Sequence, residues 1–174
     1  RTGVSQRQFA RRARNVCEAY ADHFPDASPK NLLLVGKSGL GKTFLLHCIA
    51  HRLADRGILP TYISAYHFLE LARKGYLENS PAPLSSLLNA PLLLIDDLGT
   101  EPLMQNITIT QLFNLLNERQ VSGLHTVIST NLDTSELKAR YTERITSRLS
   151  DPTNWQKVSL TGEDIRSKLK GLQA

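Results

Sequence analysis

Two kinds of apolar pattern alternate along this chain. Five short stretches read as strands: residues 31–36 (NLLLVG), a continuous apolar run ending in Gly, then 60–65 (PTYISA), 91–97 (PLLLIDD), 125–131 (HTVISTN), led by Val127 and Ile128, and 155–160 (WQKVSL). Runs of that length, led by Leu, Ile and Val and closed by small or polar residues, predict strands buried on both faces. The stretches between them carry apolar residues at helical spacing. Residues 5–24 set Phe9, Val16, Tyr20 and Phe24 roughly to one side, and PDASP at 25–29 breaks that helix. Residues 42–57 predict a helix closed by Gly57, and residues 65–89 a helical region interrupted at SPAP (80–83). Residues 108–123 place Ile109, Leu112, Phe113 and Leu116 on one face. Two short helices are expected around 135–140 and 143–149. A last one opens at TGEDIRSKLK, with Thr161 and Asp164 spaced as a capping box. Residues 81–83 and 102–105 are the expected exposed loops. Strands alternating with helices predict an α/β fold around a mostly parallel five-stranded sheet.

The length, 174 residues, suits one domain with a full core, with residues 1–28 as N-terminal helix and linker and 29–170 as the core unit. No apolar run reaches a membrane span, and the first thirty residues are polar and basic, unlike a signal peptide. The two cysteines, Cys17 and Cys48, have neither metal-ligand nor redox spacing, so a reducing, cytoplasmic setting is expected. Arg1 is not a start methionine, which reads as a fragment. The net charge of +5 is compatible with a nucleic-acid partner without requiring one. Basic clusters at 7–14 and 166–170 read as solvated helix faces.

One motif changes this picture. GKSGLGKT, residues 36–43, matches G-x-x-x-x-G-K-[ST] and stands between a predicted strand and a predicted helix. Its glycines let successive N–H groups curl toward phosphate oxygens, and the start of the helix adds its dipole. Gly36, Lys37, Ser38, Gly39, Leu40, Gly41, Lys42, Thr43 and Phe44 are therefore the candidate ATP/ADP-binding residues. Lys42 is expected at the β- and γ-phosphates, and the Thr43 hydroxyl at Mg²⁺.

The doubled acid in LLLIDD is costly at a buried strand end unless a cation sits there. Mg²⁺ is that cation, and Asp96 is expected to hold it directly or through water. Asp97 then orients the water that attacks the γ-phosphate, the alternative being that it only caps the DDLG turn. Asn131, closing the fourth strand, faces the same crevice; its alternative is an N-cap, a job open also to Asp133 or Thr134. Arg144 and Arg148 lie four apart on one helix face. Such a pair suits an anion arriving from outside, such as the γ-phosphate of a neighbouring subunit; the alternative is a solvated basic face. Arg166 alone reads as one more surface arginine; on a helix after the fifth strand it could reach back to a phosphate of its own subunit.

NLLLVGKSGLGKTFLLHCIA, LLLIDDLGTEP, LFNLLNERQ, TVISTNL, ERITSRL and GEDIRSK together resemble the AAA+ ATPase domain of the DnaC/IstB-type family, over about residues 9–170. The resemblance implies a three-layer αβα P-loop NTPase without a separate C-terminal lid. It implies Walker A at 36–43, Walker B at Asp96 and Asp97, sensor 1 at Asn131, an arginine finger at Arg148 with Arg144 beside it, and sensor 2 at Arg166. It also implies slow, oligomer- and DNA-dependent ATP hydrolysis, self-association into an ATP-dependent ring or spiral, and single-stranded DNA in the channel. The loop at 99–109 would line that channel, yet it carries no Lys or Arg. A replicative DNA helicase is the implied partner, gripped by an N-terminal region that lies outside this chain. The leading expectation is a helicase-loader ATPase in DNA replication. The alternatives are an IstB-like transposition helper, a nucleotide switch and a P-loop kinase.

Overall fold

The computed structural model describes residues 5–165, apart from the side chains of Gln105 and Asn106. Its elements follow in chain order: α1 (Gln6–His23), β1 (Asn31–Val35), α2 (Lys42–Ala54), β2 (Thr61–Ser64), α3 (Ala65–Leu77), a 3₁₀ turn (Ala82–Leu84), α4 (Ser85–Asn89), β3 (Leu92–Leu98), α5 (Gln105–Val121), β4 (His125–Thr130), α6 (Thr134–Leu149) and β5 (Trp155–Ser159). All strand pairs are parallel, in the spatial order β2-β3-β4-β1-β5. The predicted α/β class and all five strands are present.

Alternation along each strand feeds two cores. On one face Leu33, Val35, Leu93, Ile95 and Ile128 pack with residues of α3, α5 and α6. On the other, Leu32, Leu34, Leu92, Leu94 and Val127 pack with α1 and α2. The sheet is thus covered on both sides, the three layers that its unbroken apolar runs demand. The buried face of α1 is Ala13, Cys17, Tyr20, Ala21 and Phe24, with Val16 beside it.

Three differences from the sequence reading have local causes. α5 begins at Gln105, so residues 105–109 of the expected 99–109 loop are helix, while residues 102–104 of the predicted 102–105 loop are exposed. Met104, at its N-cap, offers no capping side chain; instead its N–H donates to Thr108 Oγ1 at 3.0 Å. The two short helices expected near 135–149 run together as α6, separated by a joint at Thr142 (φ 72°, ψ 164°). That region is close to glycine-only, and Thr is β-branched, so the joint is strained. The 81–83 loop is taken up by the 3₁₀ turn, with Pro81 and Ala82 exposed.

Candidate functional site

The C-terminal ends of β1, β3 and β4 meet in one crevice, as a parallel sheet requires. The turn from β1 into α2 carries residues 36–41. Gly36 has no room for a side chain, since a Cβ there would lie 2.4 Å from the Leu160 carbonyl oxygen. Gly41, at φ 90°, is the left-handed residue that starts α2. Lys42 is only 4% exposed. Its ammonium donates to the Gly36 carbonyl (2.6 Å), the Lys37 carbonyl (2.9 Å) and Asn131 Oδ1 (2.6 Å). The loop and the end of β4 are thus joined by one cation.

The second half of the crevice is built on Asp96. Its Oδ1 accepts from Thr43 Oγ1 (3.1 Å) and Ser129 Oγ (2.5 Å), and its Oδ2 from Tyr62 Oη (2.7 Å). The same Ser129 hydroxyl accepts the Asp97 N–H at 2.8 Å, so one serine bridges both halves of the acidic pair. Burial first, then the bond to Asp96, pushes the Tyr62 phenol well above its usual range. The strand register slips between Ile95 and Leu98, and Asp97 sits on that irregularity at φ 55°.

Asp97 is half-buried, and burial, followed by the Asp96 charge, raises its carboxyl above the usual value, with Lys42 pulling the other way. Among the described residues its carboxylate accepts no hydrogen bond. The turn is closed instead by its backbone carbonyl, which accepts from Thr100 N–H (3.2 Å) and Oγ1 (2.9 Å). The turn-capping alternative for the Asp97 side chain is therefore not what the geometry shows. Nor does Asn131 cap α6: Asp133 does, in a capping box with Glu136.

The donor set fits a small hard cation. Thr43 sends its proton to Asp96, leaving hydroxyl lone pairs and a carboxylate edge side by side. Mg²⁺ favours such a site, with one or two protein oxygens supplemented by phosphate and water.

The two arginines share one partner. Arg144 is exposed, but Arg148 is half-buried. Both guanidiniums stack on the Phe113 ring of α5, at 4.5 and 4.2 Å from its centroid. Arg148 also donates to Asn117 Oδ1 (3.1 Å) and to the Arg144 carbonyl (3.0 Å). The aromatic face offsets the like-charge repulsion that spacing alone suggests. Glu143 pairs with Lys138 (3.3 Å) rather than with either arginine. Arg166 lies outside the described residues.

Beside the loop, a cavity of about 640 Å³ opens between α1 and α2, lined by Arg7, Arg11, Leu40, Gly41, Phe44 and Ile165. The segment after β5 closes one side: Ile165 N–H donates to the Gly39 carbonyl at 3.0 Å. Gln6 holds that segment to α1, donating to the Glu163 carbonyl (2.7 Å) and accepting its N–H (3.2 Å).

Tyr62, Ser129 and the cavity were not singled out from the sequence. Ser129 had a signal, a buried polar residue at a strand end.

A five-stranded parallel sheet with a phosphate loop after β1 and paired acids near the end of β3 defines an AAA+ type P-loop ATP-binding fold. The chain belongs to the family described as IstB-like ATP binding protein, whose model matches residues 8–172. It is 31% identical over 114 residues to the replicative helicase loader DnaI of Bacillus subtilis (strain 168), covering 65% of this chain and 37% of that one. The chain thus spans little more than a third of that relative's length. It matches the crystal structure of DnaI with a TM-score of 0.69 at 26% identity, covering 94% of this chain and 86% of that one. It matches the crystal structure of the DnaC helicase loader with a TM-score of 0.76 at 22% identity, covering 87% and 89%.

Proposed function

We propose that this chain is the ATP-hydrolysing motor of a replicative helicase loader, assembling with ATP on single-stranded DNA to deliver the helicase. The observation that carries the chemistry is the convergence of Lys42, Asn131, Thr43 and Asp96 at the ends of three parallel strands. Kinship with DnaI supports the loader role.

In this reading residues 36–43 cradle the triphosphate, with N–H groups of the loop and α2 facing its oxygens. Lys42 exchanges its carbonyl partners for the β- and γ-phosphates while Asn131 keeps it in line. The nucleoside end enters the cavity beside Gly41 and Phe44. Thr43 and Asp96 would hold Mg²⁺, which would supply neutralisation of the charge that develops on the phosphates. Asp97 accepts a hydrogen bond from the attacking water. Arg148, with Arg144 beside it, serves the γ-phosphate of the neighbouring subunit, and Arg166 the phosphate of its own. The chain works as one AAA+ unit.

Sedimentation with ATP and Mg²⁺, with and without a single-stranded oligonucleotide, tests the reading on the full-length protein. Assembly that requires both, and that weakens as salt rises, supports the loader. Assembly on duplex DNA alone replaces it with a transposition helper. A monomer that turns over ATP under every condition overturns it in favour of a self-contained enzyme.

A further inference from the structure

Glu101 is an acid with no part in the crevice, yet it is only 2% exposed. It stands two residues beyond Gly99 on the turn that leaves β3. Its Oε2 accepts the Gly99 N–H at 2.9 Å. Its Oε1 accepts the Tyr141 hydroxyl and lies 3.5 Å from Arg140 Nη2, which also donates to the Glu101 backbone carbonyl. A buried carboxylate is costly to keep, and removing such a partner leaves the remaining polar groups stranded. Arg140 is already short of acceptors, since its buried Nε meets none among the described residues.

What Glu101 grips is informative. Tyr141 is the last residue before the strained joint at Thr142. The arginine arm, with Arg144 and Arg148, starts immediately after that joint. The direction of the arm is set by two things: the backbone angle at Thr142, and the anchoring of the residue before it. A φ of 72° with ψ of 164° persists at a β-branched residue only where its surroundings enforce it. Glu101 and Tyr141 supply that enforcement from one side of the joint. Phe113 receives the arginines on the other side.

We infer that Glu101 is a positioning residue for the arginine arm, acting on the neighbouring subunit's ATP site rather than on its own. The inference rests on Arg148 being delivered between subunits, and the test separates the two. Glu101→Gln keeps the volume of the side chain and removes its charge. Alone it binds ATP with unchanged affinity and loses DNA-stimulated hydrolysis by roughly tenfold or more, within the ~10³–10⁵ at stake when an arginine finger is lost.

The decisive measurement mixes subunits of the full-length protein on single-stranded DNA. Asp97→Asn subunits hydrolyse nothing themselves but keep an intact arm. Mixed with Arg148→Ala subunits, they restore hydrolysis; failure there overturns delivery between subunits, and this inference with it. Mixed with Glu101→Gln subunits, they likewise restore hydrolysis, because the damaged arm is no longer the one serving the active site. With the Arg148→Ala control restored, failure to rescue Glu101→Gln overturns the inference and makes Glu101 a support for its own Asp97. If Glu101→Gln does not fold, Thr142→Gly carries the same test, since glycine adopts this backbone angle without strain but does not hold it. Its assemblies are expected to melt no lower than wild type, to lose hydrolysis and to be rescued by Asp97→Asn. Wild-type turnover, or loss without rescue, overturns the proposal.

Discussion

Lys42 Nζ lies 2.6 Å from Asn131 Oδ1, joining the phosphate loop to the end of β4 across 89 residues of chain. The amide shares the ammonium with two loop carbonyls, so it aims the cation without neutralising it. Two substitutions separate those effects. Asn131→Asp places a full negative charge on Lys42 and beside the γ-phosphate. It is expected to weaken ATP binding roughly tenfold or more, about 1.4 kcal/mol. Asn131→Ala leaves the cation available, so affinity changes less while turnover falls steeply. Titration with a fluorescent ATP analogue and a steady-state phosphate assay read the two separately. Equal loss of affinity in both variants overturns this division of labour.

Asp97 carries two costs to the fold. It is an aspartate at φ 55°, and its carboxyl is raised by burial and by Asp96. A group whose folded pKa is raised contributes stability below its unfolded pKa, near ~3.9, and loses it as pH rises through the folded value. At neutral pH the ionised carboxylate is therefore a burden. Asn tolerates positive φ better than most residues and carries no charge. Asp97→Asn is expected to raise the melting temperature by roughly 1–3 °C, a gain of under about 1 kcal/mol, while abolishing hydrolysis. A thermal melt at pH 7.5 beside an ATPase assay checks both, and a lowered melting temperature contradicts the account.

What the sequence made legible was local. β1 and the first half of β3 show as unbroken apolar runs because the middle of a parallel sheet is buried on both faces. The phosphate loop and the IDD acids show because their chemistry fixes residue types at fixed spacing. The start of α5 was missed because Thr108 reaches back to cap it, leaving no polar residue at Met104 to mark it. The setting of Arg148 was missed because its ring partner, Phe113, lies on another helix. Glu101 and Arg119 were missed for one reason: a charge reads as surface unless its partners are known, and each has partners on other elements, Tyr141 for Glu101 and the Leu87 and Ala90 carbonyls for Arg119.

His125 supplies a pH dependence. It is buried at the start of β4 against the Phe24 and Tyr20 rings, with Tyr20 Oη 3.1 Å from Nδ1. Burial chiefly, with the Lys30 and Arg119 charges, lowers its pKa despite backbone hydrogen bonds that act the other way. The folded state thus resists a proton that the unfolded chain accepts near ~6.5. Stability is full above that pH and is lost as pH falls through it toward the lowered folded value. Melting temperatures between pH 7.5 and 5.5 are expected to decline. His125→Phe is expected to flatten that decline, since Tyr20 retains the Lys30 carbonyl as acceptor. An unchanged slope in His125→Phe assigns the acid sensitivity to other groups.

Among the described residues Arg119 is the largest fully buried side chain, 1% exposed, and no carboxylate is among its hydrogen-bond partners. Its guanidinium donates to the Leu87, Ala90 and His125 carbonyls and to Thr126 Oγ1. Burial lowers its pKa to about 10, so it remains protonated at neutral pH. One side chain thereby ties α5 to α4, to the turn before β3 and to the start of β4. Arg119→Met removes the cation and leaves those acceptors facing an apolar side chain. At ~1–3 kcal/mol for each buried group left unpaired, a loss of about 3 kcal/mol or more is expected. For a domain of this size that is a fall of roughly 6–12 °C in melting temperature. Arg119→Lys, with one nitrogen for several scattered acceptors, is expected to recover only part of it. Chemical denaturation of the three proteins measures this directly. If Met proves as stable as Arg, the cost of burying the cation equals what its hydrogen bonds return, and Arg119 is no anchor of the fold.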